Sequence, residues 1–420
     1  LGTGTLTLTG TNTFTGDTTI SAGTLQLGNG GTTGTLTTNN NISIASNATL
    51  AFSYGADTTA SYNISGSGGI QVLGGIGTLF SNFLTTTPAT IATNSTVAEV
   101  LYRLSGGHQS GGSISGAAIS GIYVKNFDPL TNTATFQVQQ YEINGGYSYT
   151  KTVFVKLTQS GTNVQAAIDT GTGHTSGAAY SNNGTNVLGT DMSTGYNSMG
   201  LSTAVGSGGY GVDALYTTAK VKLTGSNSYN GGTLLVNTTN TVSAGGNQYS
   251  QTALGTLQIE GAGNFAGGNI TNNGVLIFNG SAAQSMSGAM SGSGYFIKNA
   301  SNTLTLSGAN TFAGTTLLNA GTLKAGIASV GSVGAVTSSA FGTVGLTVPT
   351  GTSIDLNGYT LPIPLNIGGT GISSGGALFN SSASAAGWTG PITLSANSTF
   401  ISTPGITLGT VNGGAYSLAV

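Results

Sequence analysis

Residues able to do chemistry are scarce in this chain, and their spacing limits what they can do together. Among 420 residues there are ten Asp and Glu, eight Lys and Arg, two His and no Cys. The string nearest to a metal site is Gly208-Gly209-Tyr210-Gly211-Val212-Asp213, followed by Leu215. It matches the opening of the nonapeptide that ligates Ca²⁺ in stacked turns, which makes Asp213 a weak metal candidate. That ligand shell needs consecutive copies, and one is present, so a Gly-rich turn leading back to Lys220 is the favoured reading. His108 and His174 could serve a metal or an acid–base pair, but no Asp or Glu stands at a fixed spacing from either, and both read as surface residues. Carbohydrate-cleaving chemistry needs clustered carboxylates. Asp17, Asp57, Glu260 and Asp355 lie far apart and form no DxD-like pair. No catalytic residue and no cofactor site is assigned, and the expectation is a protein that is not an enzyme.

The elements that must carry these residues are repetitive. The stretch GTLTLTGTNTFTGDTTISAGTLQLG, Gly4 to Gly28, returns as NTLTLSGANTFAGTTLLNAGTLKAG from Asn302 to Gly326, with 15 identical positions and no gap. A partial third copy runs from Val221 as VKLTGSNSYNGGTLLVN and resumes from Gly255 as GTLQIEG. Within a copy Leu6 and Leu8 alternate with Thr5, Thr7 and Thr9, the period of a strand with one inward face. Gly and Asn then punctuate two further short β-branched or Leu-rich runs. Three strands of about four residues cannot stand alone, but they can stack on identical strands above and below, one unit per coil. Leu6, Leu8, Leu25, Leu27, Leu304, Leu306 and Leu323 are expected to face inward, with Phe14, Tyr229 and Phe312 at equivalent sites. Thr and Asn rows are expected on exposed faces and turns.

Composition agrees with a solenoid. Only 4% of residues are charged, 72 are Gly and 7 are Pro, while 38% are apolar and mean hydropathy is positive. Disorder needs low hydrophobicity and high charge, and collagen needs a three-residue Gly period; neither is present. A net charge of −2 makes nucleic acid and anionic membrane poor partners and leaves self-association unopposed. No membrane-spanning run is visible. The first residue, Leu1, already lies inside a repeat, so the chain is expected to be a processed product or a segment of a longer one.

The repeat resembles the autotransporter-associated β-strand repeat. The resemblance rests on the string from Leu6 to Gly28, its copy from Leu304 to Gly326, and the lead-ins SGSGGI (Ser65 to Ile70) and SGSGYF (Ser291 to Phe296). LNGYTL (Leu356 to Leu361) and ALFNSSASAAGWTGPITL (Ala377 to Leu394) look like that family's spacer coils. The resemblance implies an all-β, right-handed parallel β-solenoid (β-helix) of a secreted or surface protein, extracellular on a Gram-negative-type bacterium. It transfers no catalytic residues.

The pattern breaks in the middle, which suggests three segments: solenoid over 1–80, an inserted, mostly antiparallel β-domain over 81–218, and solenoid over 219–420. Of the 18 charged residues 12 lie between Ser81 and Lys222, as do both histidines. Thr96 and Glu99 have capping-box spacing ahead of a short helix from Val97 to Leu104. Strands are expected over Ile119 to Lys125, Thr133 to Ile143, Tyr147 to Leu157 and Asn163 to Asp169, and Thr238 to Thr252 reads as an extended loop. Tyr141, Tyr147, Tyr149, Tyr180, Tyr196, Tyr210 and Tyr216 make the insertion Tyr-rich, read either as strand packing or as a surface for glycans or cell-surface partners. About 12 coils of roughly 20–25 residues are expected outside it.

Two function classes stay open: a structural surface protein that forms filaments or an adhesive matrix, and a secreted glycan-binding or glycan-active protein with its site in the insertion. For the first, the partner is a second copy, head-to-tail. Neither Leu1 to Gly10 nor Gly405 to Val420 carries a cap, and each reads as an open strand of a coil.

Overall fold

The computed structural model describes residues 2–37, 41–78, 117–128, 133–144, 147–160, 163–168, 216–244, 247–261, 263–264 and 267–420. The chain divides into two compact units, one of Leu1–Ile76, Thr218–Thr238 and Thr252–Val420, the other of Gly77–Thr217 and Thr239–Gln251.

The first unit is a parallel β-solenoid of about 12 coils. One sheet stacks Thr5–Leu8, Gly23–Leu27, Ala48–Phe52, Gly69–Leu73, Thr233–Val236, Ile270–Asn272 and Met290–Ser291 in that order. A second run climbs from Thr58–Ala60 through Lys220–Leu223, Thr256–Gly261, Val275–Gly280, Tyr295–Lys298, Thr316–Leu318 and Leu346–Val348 to Leu365–Gly369. A third climbs from Gln284–Met286 through Thr303–Leu306, Thr322–Ala325 and Ser353–Asp355 to Leu378–Phe379. The long strand Ile392–Ile401 pairs with the tops of both and joins them into one sheet. Strands this short bury their apolar side only because each lies in register on its neighbour, as Leu25 does on Leu50 and Leu50 on Ile70. The inward residues form one continuous core, and Leu27, Leu50, Leu223, Ile259, Leu304 and Leu323 are fully buried. At strands spaced about 4.8 Å apart, about 12 coils make a stack of about 60 Å.

The three strands of a copy do not fill three faces of one coil; a copy spans one full turn and one further strand. Its first and third strands are stacked neighbours: Leu6 pairs in register with Leu25, Val221 with Leu257, and Leu304 with Leu323. Each copy therefore closes one turn and lands on itself, with the aromatic of the turn and the middle strand on the way round. The three copies also start in three different strand runs: Thr5–Leu8 in the first, Lys220–Leu223 in the second and Thr303–Leu306 in the third. Alternation in sequence distinguishes inside from outside but carries no label for the face of the prism.

The landing point explains the Ala-Gly pair before the third strand. Gly23 and Gly321 both have left-handed φ, +71° and +75°. A Cβ on Gly23 would overlap the carbonyl oxygens of Gly4 and Gly2, and one on Gly321 those of Asn302 and Ala300. Backbone of the previous coil passes so close that only Gly fits, in a conformation that L side chains avoid.

Of the expected inward residues, Leu25, Leu27, Leu304, Leu306, Leu323, Tyr229 and Phe312 are buried. Three are not: Leu6 is 61% exposed, Phe14 is 45% exposed and Leu8 is half-buried against the core. Register is not the cause, since Leu6 stands over Leu25 and Leu8 over Leu27. These residues belong to the first described coil, whose strand Thr5–Leu8 has a described partner on one side, Gly23–Leu27. The prolines behave as non-donors must. Pro364 and Pro391 immediately precede strands and contribute their carbonyls, to Leu346 N and Leu365 N.

In the second unit Ala117–Asp128, Thr133–Asn144, Tyr147–Ser160 and Asn163–Ile168 form a four-stranded antiparallel sheet in sequence order. The expected loop near Thr238 is instead a two-stranded ribbon, Thr238–Ala244 with Asn247–Ala253. The strands that lead out and back, Ile76–Thr78 and Tyr216–Thr218, pair with each other, and Ala219 N donates to Gly75 O at 3.0 Å. The expected helix at Val97 to Leu104, and His108, His174 and Asp213, lie outside the described residues.

Candidate functional site

Several charged side chains of the solenoid act as joints between coils. Asp355 is the clearest. It is buried, in register with Lys324 of the coil before it. Its Oδ1 accepts from Asn357 N at 2.9 Å and Ser381 N at 3.0 Å. Its Oδ2 accepts from Ser381 Oγ at 2.6 Å and pairs with Lys324 Nζ at 3.2 Å. Lys324 Nζ also donates to Ser381 Oγ at 3.0 Å. Ser, Lys and Asp meet here as in a nucleophilic site, but both carboxylate oxygens are taken up by fixed donors. What the cluster does is tie three successive coils and hold the tight turn at Asn357, whose φ is +48°.

Asp57 does the same at the root of the insertion, accepting from Lys220 N at 3.0 Å and pairing with Lys222 Nζ at 3.6 Å. Asp17 accepts from Asn41 Nδ2 at 3.0 Å, and Asn41 Oδ1 accepts in turn from Asn63 Nδ2 at 3.2 Å. Asn319 Nδ2 donates to Asn299 Oδ1 at 2.8 Å. These are the expected polar ladders along the stack, each rung offering the next its missing partner.

The repeat's own asparagine was placed with the exposed turns, and here sequence reasoning missed its role. Asn12, Asn227 and Asn310 stand at the same position of the three copies, two residues before the aromatic. Each Nδ2 donates to a backbone carbonyl of the next coil: Thr35 O at 3.1 Å, Asn264 O at 3.0 Å and Ala340 O at 2.6 Å. Asn227 and Asn310 are buried. Its recurrence in T-N-T-F, S-N-S-Y and A-N-T-F was the available signal.

Lys298 is also missed by sequence. It is fully buried in an inward row. Its Nζ donates to Ala300 O and, at 3.0 Å, to Ala320 O, and lies 5.8 Å from the centre of the Phe278 ring. Desolvation pushes its pKa down to about 8. Burial likewise raises the Tyr54, Tyr62 and Tyr229 hydroxyls. Each bonds within the solenoid, Tyr54 to Gly34 O, Tyr62 to Leu36 O and Tyr229 to Thr233 Oγ1. Among the described residues no three His, Asp or Glu come together as a metal set, and no described helix is long and apolar enough to cross a membrane.

Fold and side chains together define a parallel β-solenoid repeat protein whose polar residues are used to join coil to coil. Residues 1–27, 218–237 and 296–325 match the family described as the passenger-associated-transport-repeat; the first and third segments span a turn-closing copy, and the second covers the opening part of its copy, ending before the closing strand Thr256–Gly261. Together with the solenoid fold, this match is consistent with a repeat protein of the autotransporter-passenger type. That association implies a secreted or surface location in Gram-negative bacteria. No curated protein and no solved structure matches the chain.

Proposed function

We propose that this protein is a non-enzymatic extracellular building block, which extends a surface filament or adhesive matrix by stacking the last coil of one copy on the first coil of the next. The observation that carries this reading is the state of the first coil. Its inward residues are in register with buried leucines, yet Leu6 is 61% exposed, and the outer edge of Thr5–Leu8 has no partner strand among the described residues. At the other end Ile406–Leu408, Val411–Asn412 and Leu418–Ala419 are half-buried or exposed. A contact between two different surfaces of one chain does not close, so it propagates. The join is covalent where coils follow one another in a longer chain and non-covalent between subunits. Charge does not oppose it, with a net −2 over 420 residues.

The test is sedimentation of the 420-residue chain over rising concentration, beside a variant with Leu6→Asp and Phe14→Asp. The chain should form linear species in whole-subunit steps. The variant should stay monomeric and folded, because both positions are already exposed. A wild-type chain that remains monomeric at high concentration, or a variant that assembles equally well, would overturn the proposal.

A further inference from the structure

The inward row that contains Lys298 is otherwise apolar. Leu223, Ile259 and Phe278 precede it in register and Leu318 follows it, all buried. In the other lead-in, SGSGGIQV aligns with SGSGYFIK, and the matching residue is Val72, fully buried. An ammonium therefore stands where the repeat elsewhere uses a methyl-bearing side chain. Among the described residues it forms no ion pair. Its seat is made of the Phe278 ring and two carbonyls, Ala300 O and Ala320 O, which follow successive strands of the stack. A Cβ on Gly321 would overlap the Nζ, so the turn-closing glycine of the repeat also makes room for the charge.

We infer that Lys298 is the register key of the solenoid: its ammonium is satisfied only when the strand Tyr295–Lys298 stacks between Val275–Gly280 and Thr316–Leu318, with the Ala320-Gly321 landing point closing over it. Rows of Leu, Ile, Val and Phe do not specify a rung. A stack slipped by one coil still buries apolar residues on apolar residues, and in-register parallel strands accept it. A lysine in such a row fails at every rung that lacks two convergent carbonyls beside a left-handed glycine, because a buried charge without partners is strongly unfavourable. Replacing a buried charge by a hydrophobe of similar volume is often neutral or stabilising, and the best-attested use of such a group is to fix register.

The test uses the full chain with Lys298→Leu and, should leucine pack badly, Lys298→Met. The absence of native Cys allows a reporter of register: Ser285→Cys with Thr305→Cys, at positions that face each other across adjacent coils. After denaturation and refolding, the parent carrying this pair should cross-link almost completely. Either Lys298 variant should melt at the same temperature as the parent or higher, yet cross-link only in part and give a severalfold lower yield of a single species. Variants that refold with the parental yield and the parental cross-linked fraction would overturn the inference. Variants that melt well below the parent would do so too, since the lysine would then be a source of stability and not of register.

Discussion

Phe14 and Phe312 occupy the same position of the repeat and differ only in what lies beyond them. Phe312 is 1% exposed and meets Phe296 edge-on, with ring centres 6.4 Å apart. Truncating a phenylalanine in such a setting costs about 3–5 kcal/mol, transfer and cavity together. Phe14 is 45% exposed, and Phe14→Ala in the dispersed chain should cost below about 1 kcal/mol, the range of surface substitutions. Urea unfolding can separate the two, followed by far-UV circular dichroism and by the fluorescence of Trp388, the one tryptophan. That indole is buried, donates to Ile363 O at 2.7 Å and stacks on Phe341, so it reports the later coils. Solenoid stability is a sum of local and nearest-neighbour terms, so Phe312→Ala should lower the midpoint of the later coils while Phe14→Ala leaves it in place. Under assembling conditions Phe14→Ala should gain a cost, because the next copy then covers that ring. Equal costs for the two substitutions in dispersed chains would refute the assignment of Phe14 to an open coil.

Three further outcomes are expected. Asp355→Ala removes the acceptor of two backbone N–H groups and the partner of Lys324; unsatisfied buried donors cost about 1–3 kcal/mol each, so a total of roughly 3–5 kcal/mol should appear in urea unfolding, and a loss below about 1 kcal/mol would contradict the coil-joint reading. Deleting 81–218 and joining Phe80 to Ala219 should leave a folded solenoid with the same Trp388 emission, since Asp57 and the Gly75–Ala219 bond already bring the two sides together; insoluble material would show that the insertion is integral. The Lys298 pKa is lowered in the folded chain to about 8 from 10.5, so below pH 8 both states are charged and the desolvation cost is fully present. As pH rises toward 10 the folded state loses its proton first, and stability should increase by about 2–3 kcal/mol at ~1.4 per unit, a rise absent from Lys298→Met.

What the sequence made legible follows from periodicity. Thr-Leu-Thr-Leu fixes which side chains face inward, and Leu25, Leu304 and Leu323 are buried as alternation requires. A break in the pattern, placed in sequence at Ser81 while the compact units divide after Ile76, and four strands placed from Ile119 onward, where the structure has them from Ala117, were also readable, from β-branched runs between turn residues. Alternation has no third coordinate. It could not show that Thr5–Leu8 and Gly23–Leu27 lie on one sheet, or that the three copies begin in different runs of strands. Leu6 and Phe14 were misjudged because burial in a stack depends on a neighbour some 20 residues away and not on local alternation. The joints were hidden for a related reason. Asp355 and Lys324 meet only because one rung of the solenoid separates them, and nothing in their local sequence marks the pairing. Lys298 was missed, although aligning the two Ser-Gly-Ser-Gly lead-ins sets it against Val72 and would have marked it as the odd residue.

The central claim, that coils continue from one copy into the next, is tested most directly by fibre diffraction from the concentrated, aligned chain. The account predicts a meridional reflection near 4.8 Å from strands stacked along the axis, with an axial repeat of about 60 Å from about 12 coils per copy. An aligned specimen in which the strands run along the fibre axis, or a chain that stays dispersed and gives no axial repeat, would contradict it.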